Sequence, residues 1–318
     1  MKNLVGVDIG ATNTKIGIFS ASGSIISKWS IPTDLCNNGN FIVSNLIDSL
    51  YKELALIGQG FKNISRMGIG VPGPVNDQLG SVIQAVNLGW KDYQVKSEIE
   101  KMISVSVDVG NDANIAALGE MNYGSGRGSS DIAMFTLGSG VGGAAILNGK
   151  LLTGRTFSAG EFGHIKIYHN RSDVCGCGKT GCLESVASGL GIVKAANDSL
   201  QKGRSSILTS VIEYKGRIEV KDVLMGYEKN DDICLEIIDN YCRDVALAMS
   251  NVCCILNPQK IIVGGGIADA GAFIIEKIKL HFKNVAFGAT QETEIIKASL
   301  GNDAGIYGAM SLAKNQVI

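Results

Sequence analysis

The stretch Leu4–Ser20, LVGVDIGATNTKIGIFS, decides the fold. Two short apolar runs, Leu4–Gly10 and Lys15–Ser20, flank a glycine-bearing polar turn, which reads as strand, turn, strand. A third run, Ser24–Ile31, follows across another short turn, so the chain opens on an antiparallel meander. Asp8 ends the first strand just before Gly10, Ala11, Thr12 and Asn13. A charge closing a buried strand is costly without a partner, and a hydrated Mg2+ bridging to nucleotide phosphates would provide one. The plainer alternative is an Asx-type turn residue.

Working outward, Phe41–Ile57 has helical periodicity, Arg66–Gly73 returns to strand and Val71–Pro74 forces a turn. Lys91–Met102 reads as helix and Ser104–Val109 as strand. Asn111–Met121 reads as a helix that Asn111 or Asp112 would cap. Asp131–Leu152 then repeats the opening scheme of strand, glycine turn and strand, with Asn148-Gly149 as a type I′ hairpin signal. Val7–Ile18 and Phe135–Ile146 share one pattern, as a true repeat or as two similar hairpins. Asp231–Leu256 is a long helix, Lys260–Ile267 a strand running into Gly264, Gly265 and Gly266, Glu294–Lys297 an edge strand and Asp303–Lys314 the last helix. This order favours two α/β halves around a cleft.

The 318 residues carry a net charge of −1, from 29 basic and 30 acidic side chains, which excludes the basic field that nucleic acid or an anionic membrane needs. No apolar run approaches the length of a membrane span, and no leader pattern precedes the first strand. A soluble cytoplasmic protein is expected. Reduced thiols follow for the eight cysteines. Cys36, Cys234, Cys242, Cys253 and Cys254 read as small apolar core residues, the last four on one buried helix face. The 41 glycines cluster at strand ends, where backbone can approach a ligand.

A different chemistry lies in EFGH (Glu161–His164) and CGCGKTGCLE (Cys175–Glu184). His164, Cys175, Cys177 and Cys182 are the ligand set of a tetrahedral Cys3His zinc site. Glu161 and Glu184 flank it with carboxylates, so a metal-anchored loop would present two acids to a polar ligand. Two tempting motifs fail on context. Gly138–Gly143 satisfies GxGxxG, but a strand follows where a dinucleotide fold needs a helix. Gly178-Lys179-Thr180 resembles the end of a Walker A loop, but Asp173 stands where that loop needs glycine. Phosphate, if bound, meets backbone N–H groups in glycine turns between strands.

Taken together, DIGATNTK (Asp8–Lys15), GVPGPV (Gly70–Val75), NLGW (Asn87–Trp90), NDAN (Asn111–Asn114), LGSGVGG (Leu137–Gly143), EFGH and CGCGKTGCLE resemble the ROK family of sugar kinases and repressors, and its glucokinases above all. The likeness runs nearly the full length. It implies a two-domain actin/Hsp70/hexokinase-like (ribonuclease H-like) fold with a cleft. The expected domains are 1–115, completed by the C-terminal helix at about 303–318, and 116–302, with the zinc loop at 161–184. It implies phosphorylation of a hexose by ATP with Mg2+, most simply glucose to glucose 6-phosphate. N-acetylmannosamine, N-acetylglucosamine and fructose remain alternative substrates.

By resemblance, Asp112 becomes the catalytic base, while on the residues alone Asn111 and Asp112 could equally be an ordinary helix cap. Asn111, Glu161, His164 and Glu184 would bond sugar hydroxyls, with Asn87 and Gly73 at the same pocket. Gly10–Asn13, Gly138, Ser139 and Gly140 would meet the ATP phosphates, together with Asp8 and Lys15, and Gly264–Gly266 the adenosine side. The zinc would be structural. Ala11 and Ser139 replace the glycine and threonine of many members. A homodimer is the common state of the family. A repressor of the family carries a DNA-binding segment ahead of the first phosphate loop, and seven residues before Asp8 leave no room for one.

Overall fold

The structure is a computed structural model and describes residues 2–169 and 172–315. Strands are β1 (Asn3–Ile9), β2 (Asn13–Phe19), β3 (Ile25–Pro32), β4 (Ile64–Val71), β5 (Val75–Asn76), β6 (Ser81–Ala85), β7 (Trp90–Tyr93), β8 (Ser106–Asn111), β9 (Ile132–Leu137), β10 (Val141–Leu147), β11 (Lys150–Leu151), β12 (Lys260–Gly264) and β13 (Glu294–Lys297). The chain divides into two compact units. The first takes Met1–Gly128, Leu151–Ala159 and Asn302–Ile318, and the second Ser129–Lys150 and Gly160–Gly301.

In the first unit the sheet order is β3-β2-β1-β4-β8. β1, β2 and β3 form the expected antiparallel meander, with Asp8 opposite Lys15, and β4 and β8 continue it in parallel. β1 is buried on both faces, as the near-continuous run of apolar residues requires. One side is covered by the helices Ile42–Leu56 and Val95–Ile103, whose buried Leu46, Leu50, Leu54 and Ile99 belong to one core with Val5, Val7 and Ile69. The last helix, Ala304–Asn315, packs against β1, β4 and the helix Asp112–Tyr123.

Three expectations change here. The boundary at 115/116 falls inside the helix Asp112–Tyr123, which is buried against the last helix, so the unit continues to Gly128. Residues 151–159 also belong to the first unit. Lys91–Met102 is not one helix: Trp90–Tyr93 is β7 of a small antiparallel sheet β5-β6-β7, and the helix starts at Val95.

The second unit has the order β11-β10-β9-β12-β13, again an antiparallel hairpin continued by parallel strands. Asn148 and Gly149 both take positive φ, 52° and 73°, as a type I′ turn demands. The helix Asp232–Leu256 is capped by Asp231, whose side chain accepts from the Cys234 N–H, and its Ile238, Tyr241, Val245, Met249 and Val252 enter the core. Cys234, Cys242 and Cys253 are buried as expected, whereas Cys36 and Cys254 are exposed. Neighbours on a helix point about 100° apart, so Cys253 and Cys254 cannot share the core face. Among the described residues no helix is long and apolar enough to cross a membrane.

Candidate functional site

In the first unit, two turns carry the candidate residues. Asp8 lies at the end of β1, and burial pushes its carboxyl above the ordinary value of 3.8 while Lys15 pulls it back. It rests on Gly305 at the start of the last helix, where a Cβ would stand 2.4 Å from the carboxyl carbon. Lys15 gives its ammonium to the Asn302 carbonyl at 2.9 Å. Ala11, Thr12 and Asn13 are exposed in the turn that follows, closed by a bond from Gly10 N–H to Asn13 O. This is a glycine turn between antiparallel strands above a desolvated acid, which suits a phosphate group and its cation.

The other turn lies where β8 runs into the helix Asp112–Tyr123. Asn111 is the N-cap, its Oδ1 accepting from Asn114 N–H at 3.1 Å. The cap is therefore real, and it does not compete with a chemical role for its neighbour. Asn111 Nδ2 donates to Asp112 Oδ1 at 2.9 Å and to Gly73 O at 3.1 Å, and Ala113 N–H donates to the same Asp112 oxygen at 2.8 Å. Asp112 is thus oriented by two donors on one oxygen and is partly exposed. Gly73 abuts the Gln84 carbonyl of β6, and β6 leads directly into the Val86–Leu88 turn, where Asn87 is exposed. One chain of contacts therefore joins Asp112, Asn111, Gly73 and the segment bearing Asn87.

In the second unit, His164, Cys175, Cys177 and Cys182 bring their ligand atoms within 4.8 Å of one another. His164 Nδ1 lies 3.7 Å from Cys175 Sγ, and Cys177 Sγ 3.7 Å from Cys182 Sγ. Zinc bonds of about 2.3 Å to sulfur in a tetrahedron place ligand atoms roughly 3.7 Å apart, so the set fits the ion. Burial raises the Cys175 thiol to about 12, while the Lys179 backbone N–H lowers that of Cys177. Sequence reasoning missed Lys166, whose Nζ lies 2.9 Å from Cys182 Sγ and offers the thiolates a counter-charge. A lone lysine in a polar loop gives no signal of such a partner.

Glu184 joins this cluster to the glycine turn. Its Oε2 accepts from Val141 N–H at 3.0 Å, and Cys175 Sγ is 3.5 Å from its Oε1. Gly140 lets the carboxylate approach, because a Cβ there would stand 2.6 Å from Glu184 Oε2 and push it aside. Glu161 is exposed ahead of the Phe162–His164 turn, and His164 is exposed within it. Gly138 and exposed Ser139 lie between β9 and β10, with Gly264–Gly266 at the end of neighbouring β12, where Gly265 abuts Leu137. The GxGxxG run continues into β10, a strand, as its context demanded.

The profile of the ROK family matches residues 4–316. A glucokinase of Halalkalibacterium halodurans is 38% identical over 98% of this chain and 95% of its own. An N-acetyl-D-glucosamine kinase of Salmonella paratyphi A is 25% identical over 96% of this chain and 98% of its own. A ROK family glucokinase from Streptomyces griseus, solved with glucose and AMPPNP, superposes with a TM-score of 0.78 at 30% identity, covering 98% of this chain and 99% of that one.

Proposed function

The chain belongs to the ROK family, and we propose that it is a glucokinase, transferring the γ-phosphoryl group of ATP to the 6-hydroxyl of glucose. The observation that carries this reading is the 38% identity with a glucokinase across 98% of the chain. A solved relative holds glucose and an ATP analogue together, and this chain has the same mixed α/β fold.

Phosphoryl transfer asks the protein for positioning and charge neutralisation more than for covalent chemistry. Asp112 is the base that takes the proton of the attacking hydroxyl, with Asn111 and Ala113 N–H holding its carboxylate in register. In the first unit Asn111, Asn87 and the Gly73 turn are the candidates for bonding sugar hydroxyls; in the second unit the candidates are Glu161, His164 and Glu184. Because His164 turns Nδ1 to the cysteines, Nε2 is left for the sugar. For phosphate the first unit offers Gly10–Asn13 with Lys15, and the second offers Gly138–Gly140, with Gly264–Gly266 as its adenosine-side candidates. Mg2+ accompanying ATP would spread the phosphate charge, with Asp8 its acidic partner. Zinc held by His164, Cys175, Cys177 and Cys182 would be structural, since four protein ligands would leave no position for substrate.

Sites built to bond a hydroxyl discriminate sharply against sugars that lack it, so the test is a panel of hexoses and N-acetylhexosamines in a coupled ADP-release assay. Glucose is expected to give the highest kcat/KM. A much higher value for N-acetylmannosamine or N-acetylglucosamine would overturn the substrate and leave the kinase chemistry standing.

A further inference from the structure

Thr33–Gly39 leaves β3 at the phosphate turn and arrives at the Asn87 turn, and at both ends it is fastened rather than merely adjacent. At the first end Thr33 N–H donates to Thr12 O at 3.0 Å, and Thr33 Oγ1 donates to Gly10 O at 2.7 Å. That commits the hydroxyl's one proton, so Thr14, buried 3.0 Å away, must be the donor in the bond between the two threonine hydroxyls. Two bonds thus lock Thr33 to the turn Gly10–Asn13, and a third ties it to Thr14 of β2.

At the far end Asn37, Asn38 and Gly39 take φ of 50°, 57° and 70°, three consecutive residues in the left-handed region. Such a run is unfavourable for most L-residues, and asparagine and glycine tolerate it best. The buried Trp90 indole donates to Gly39 O at 3.2 Å and stacks on Tyr93 at 4.3 Å. A Cβ on Gly39 would stand 2.5 Å from Leu88 O, and one on Gly89 2.8 Å from Asn38 Cα. The left-handed turn and the Asn87–Trp90 turn therefore meet backbone to backbone. Between the ends, Cys36 N–H bonds back to Asp34 Oδ1 at 2.9 Å, so little slack remains.

We propose that Thr33–Gly39 is a strap that couples the phosphate turn to the sugar turn, with Thr33 and Trp90 as its two positioning residues. Each acts through the backbone carbonyls it holds, Gly10 and Thr12 for Thr33 and Gly39 for Trp90. A turn ordered by its own ligand stiffens the strap and so favours the bound arrangement of the other, and linkage makes the effect mutual. The inference rests on the assignment of Gly10–Asn13 to nucleotide and Asn87 to sugar.

The test is calorimetric titration of the full chain with glucose, with and without AMPPNP and Mg2+, and with AMPPNP, with and without glucose. In the parent each ligand is expected to tighten the other severalfold. Trp90→Phe keeps the ring stack but loses the donor; glucose binding should weaken about threefold to tenfold, AMPPNP alone should bind as before, and the mutual factor should fall toward one. Thr33→Val should do the converse. Asn38→Gly, which fits the left-handed turn, loosens the strap without threatening the fold and should lower the factor alone. A mutual factor of one in the parent, or an unchanged factor in all three variants, overturns the strap. A parent that binds neither glucose nor AMPPNP fails the functional assignment itself, which separates the two failures before any variant is made.

Discussion

The two five-stranded sheets share one strand order, an antiparallel hairpin of three strands continued by two parallel ones, yet they secure their functional turns by different means. In the first unit the chemistry stands on the scaffold: Asp8 closes a strand, Asn111 and Asp112 open a helix, and the Asn111 amide and the Ala113 N–H orient the Asp112 carboxylate. In the second unit the corresponding hairpin turn, Gly138–Gly140, is held from outside by Glu184, which opens the short helix Glu184–Ala187 at the end of a loop with little regular structure. Among the described residues of that loop, β pairing comes from isolated bridges, Lys166 with Cys182 and Val174 with Thr180. A regular element fixes a side chain through many backbone bonds, whereas an irregular loop needs another constraint, and four clustered ligands can provide one. The same hairpin thus serves once as a platform and once as a surface on which a cross-linked loop rests.

The largest effect should come from the scaffold side. Asp112→Asn keeps the bonds to Asn111 and the helix cap but cannot take a proton, so kcat should fall about 10²–10⁴-fold with sugar binding largely retained. Steady-state kinetics alongside glucose titration decide this, and near-normal turnover would leave residue 112 a helix-start residue and nothing more. On the loop side, Cys177→Ser should lose the zinc, about one equivalent per chain in the parent by elemental analysis. Its melting temperature should drop by roughly 5–10 °C, at about 2–4 °C for each kcal/mol lost in a unit of this size. Hydrogen exchange should place the loss in the loop 161–184 and spare β1–β8. Uniform loosening of both sheets would break the contrast between platform and loop.

Much of this contrast could be read from residue order because its parts are local. The meander, the zinc ligands and the Asn111 cap each depend on short spacings. What escaped depends on packing between distant segments. β7 is four residues long, and Lys91 and Asp92 are exposed, so its alternation was absorbed into the amphipathic pattern of the following helix. Gly305 beneath Asp8, and Lys166 beside Cys182, are ordinary residues until the chain brings them there. The boundary at 115 failed because burial of the helix Asp112–Tyr123 against the last helix joins segments far apart in sequence.

Asp8 sharpens the scaffold half of the comparison, since its sign is opposite for stability and for function. Its folded pKa is raised, so the native state holds the proton more tightly than the unfolded chain. Stability from this group is therefore present at low pH and lost as pH rises above the ordinary value of 3.8. Asp8→Asn should flatten that part of the stability profile and leave the ligand-free protein at least as stable at neutral pH. It should cost on the order of 10²-fold in kcat/KM for Mg-ATP, by removing the acidic partner of the cation. A destabilised ligand-free variant would mean that Asp8 is a structural acid paid for by its surroundings.

The smallest effect tests the contact through which the loop meets the hairpin. In Gly140→Ala the new methyl would stand 2.6 Å from Glu184 Oε2, so the carboxylate must move and its bond from Val141 N–H lengthen or break. Overpacking of this kind costs about 1–3 kcal/mol when nothing can shift, and less here because a carboxylate ends a flexible side chain. If Glu184 meets the sugar, the glucose KM should rise several-fold with kcat and zinc content little changed, because the methyl displaces one acid and leaves the four ligands alone. Glu184→Gln keeps the shape and the acceptor for Val141 N–H but changes the charge, so it separates the two causes: a KM near the parent's in Gln and a raised one in Ala would assign the effect to position. If zinc were lost from Gly140→Ala while Glu184→Gln kept it, the hairpin would be supporting the metal loop rather than resting beneath it, and the division of labour between the two halves would have to be reversed.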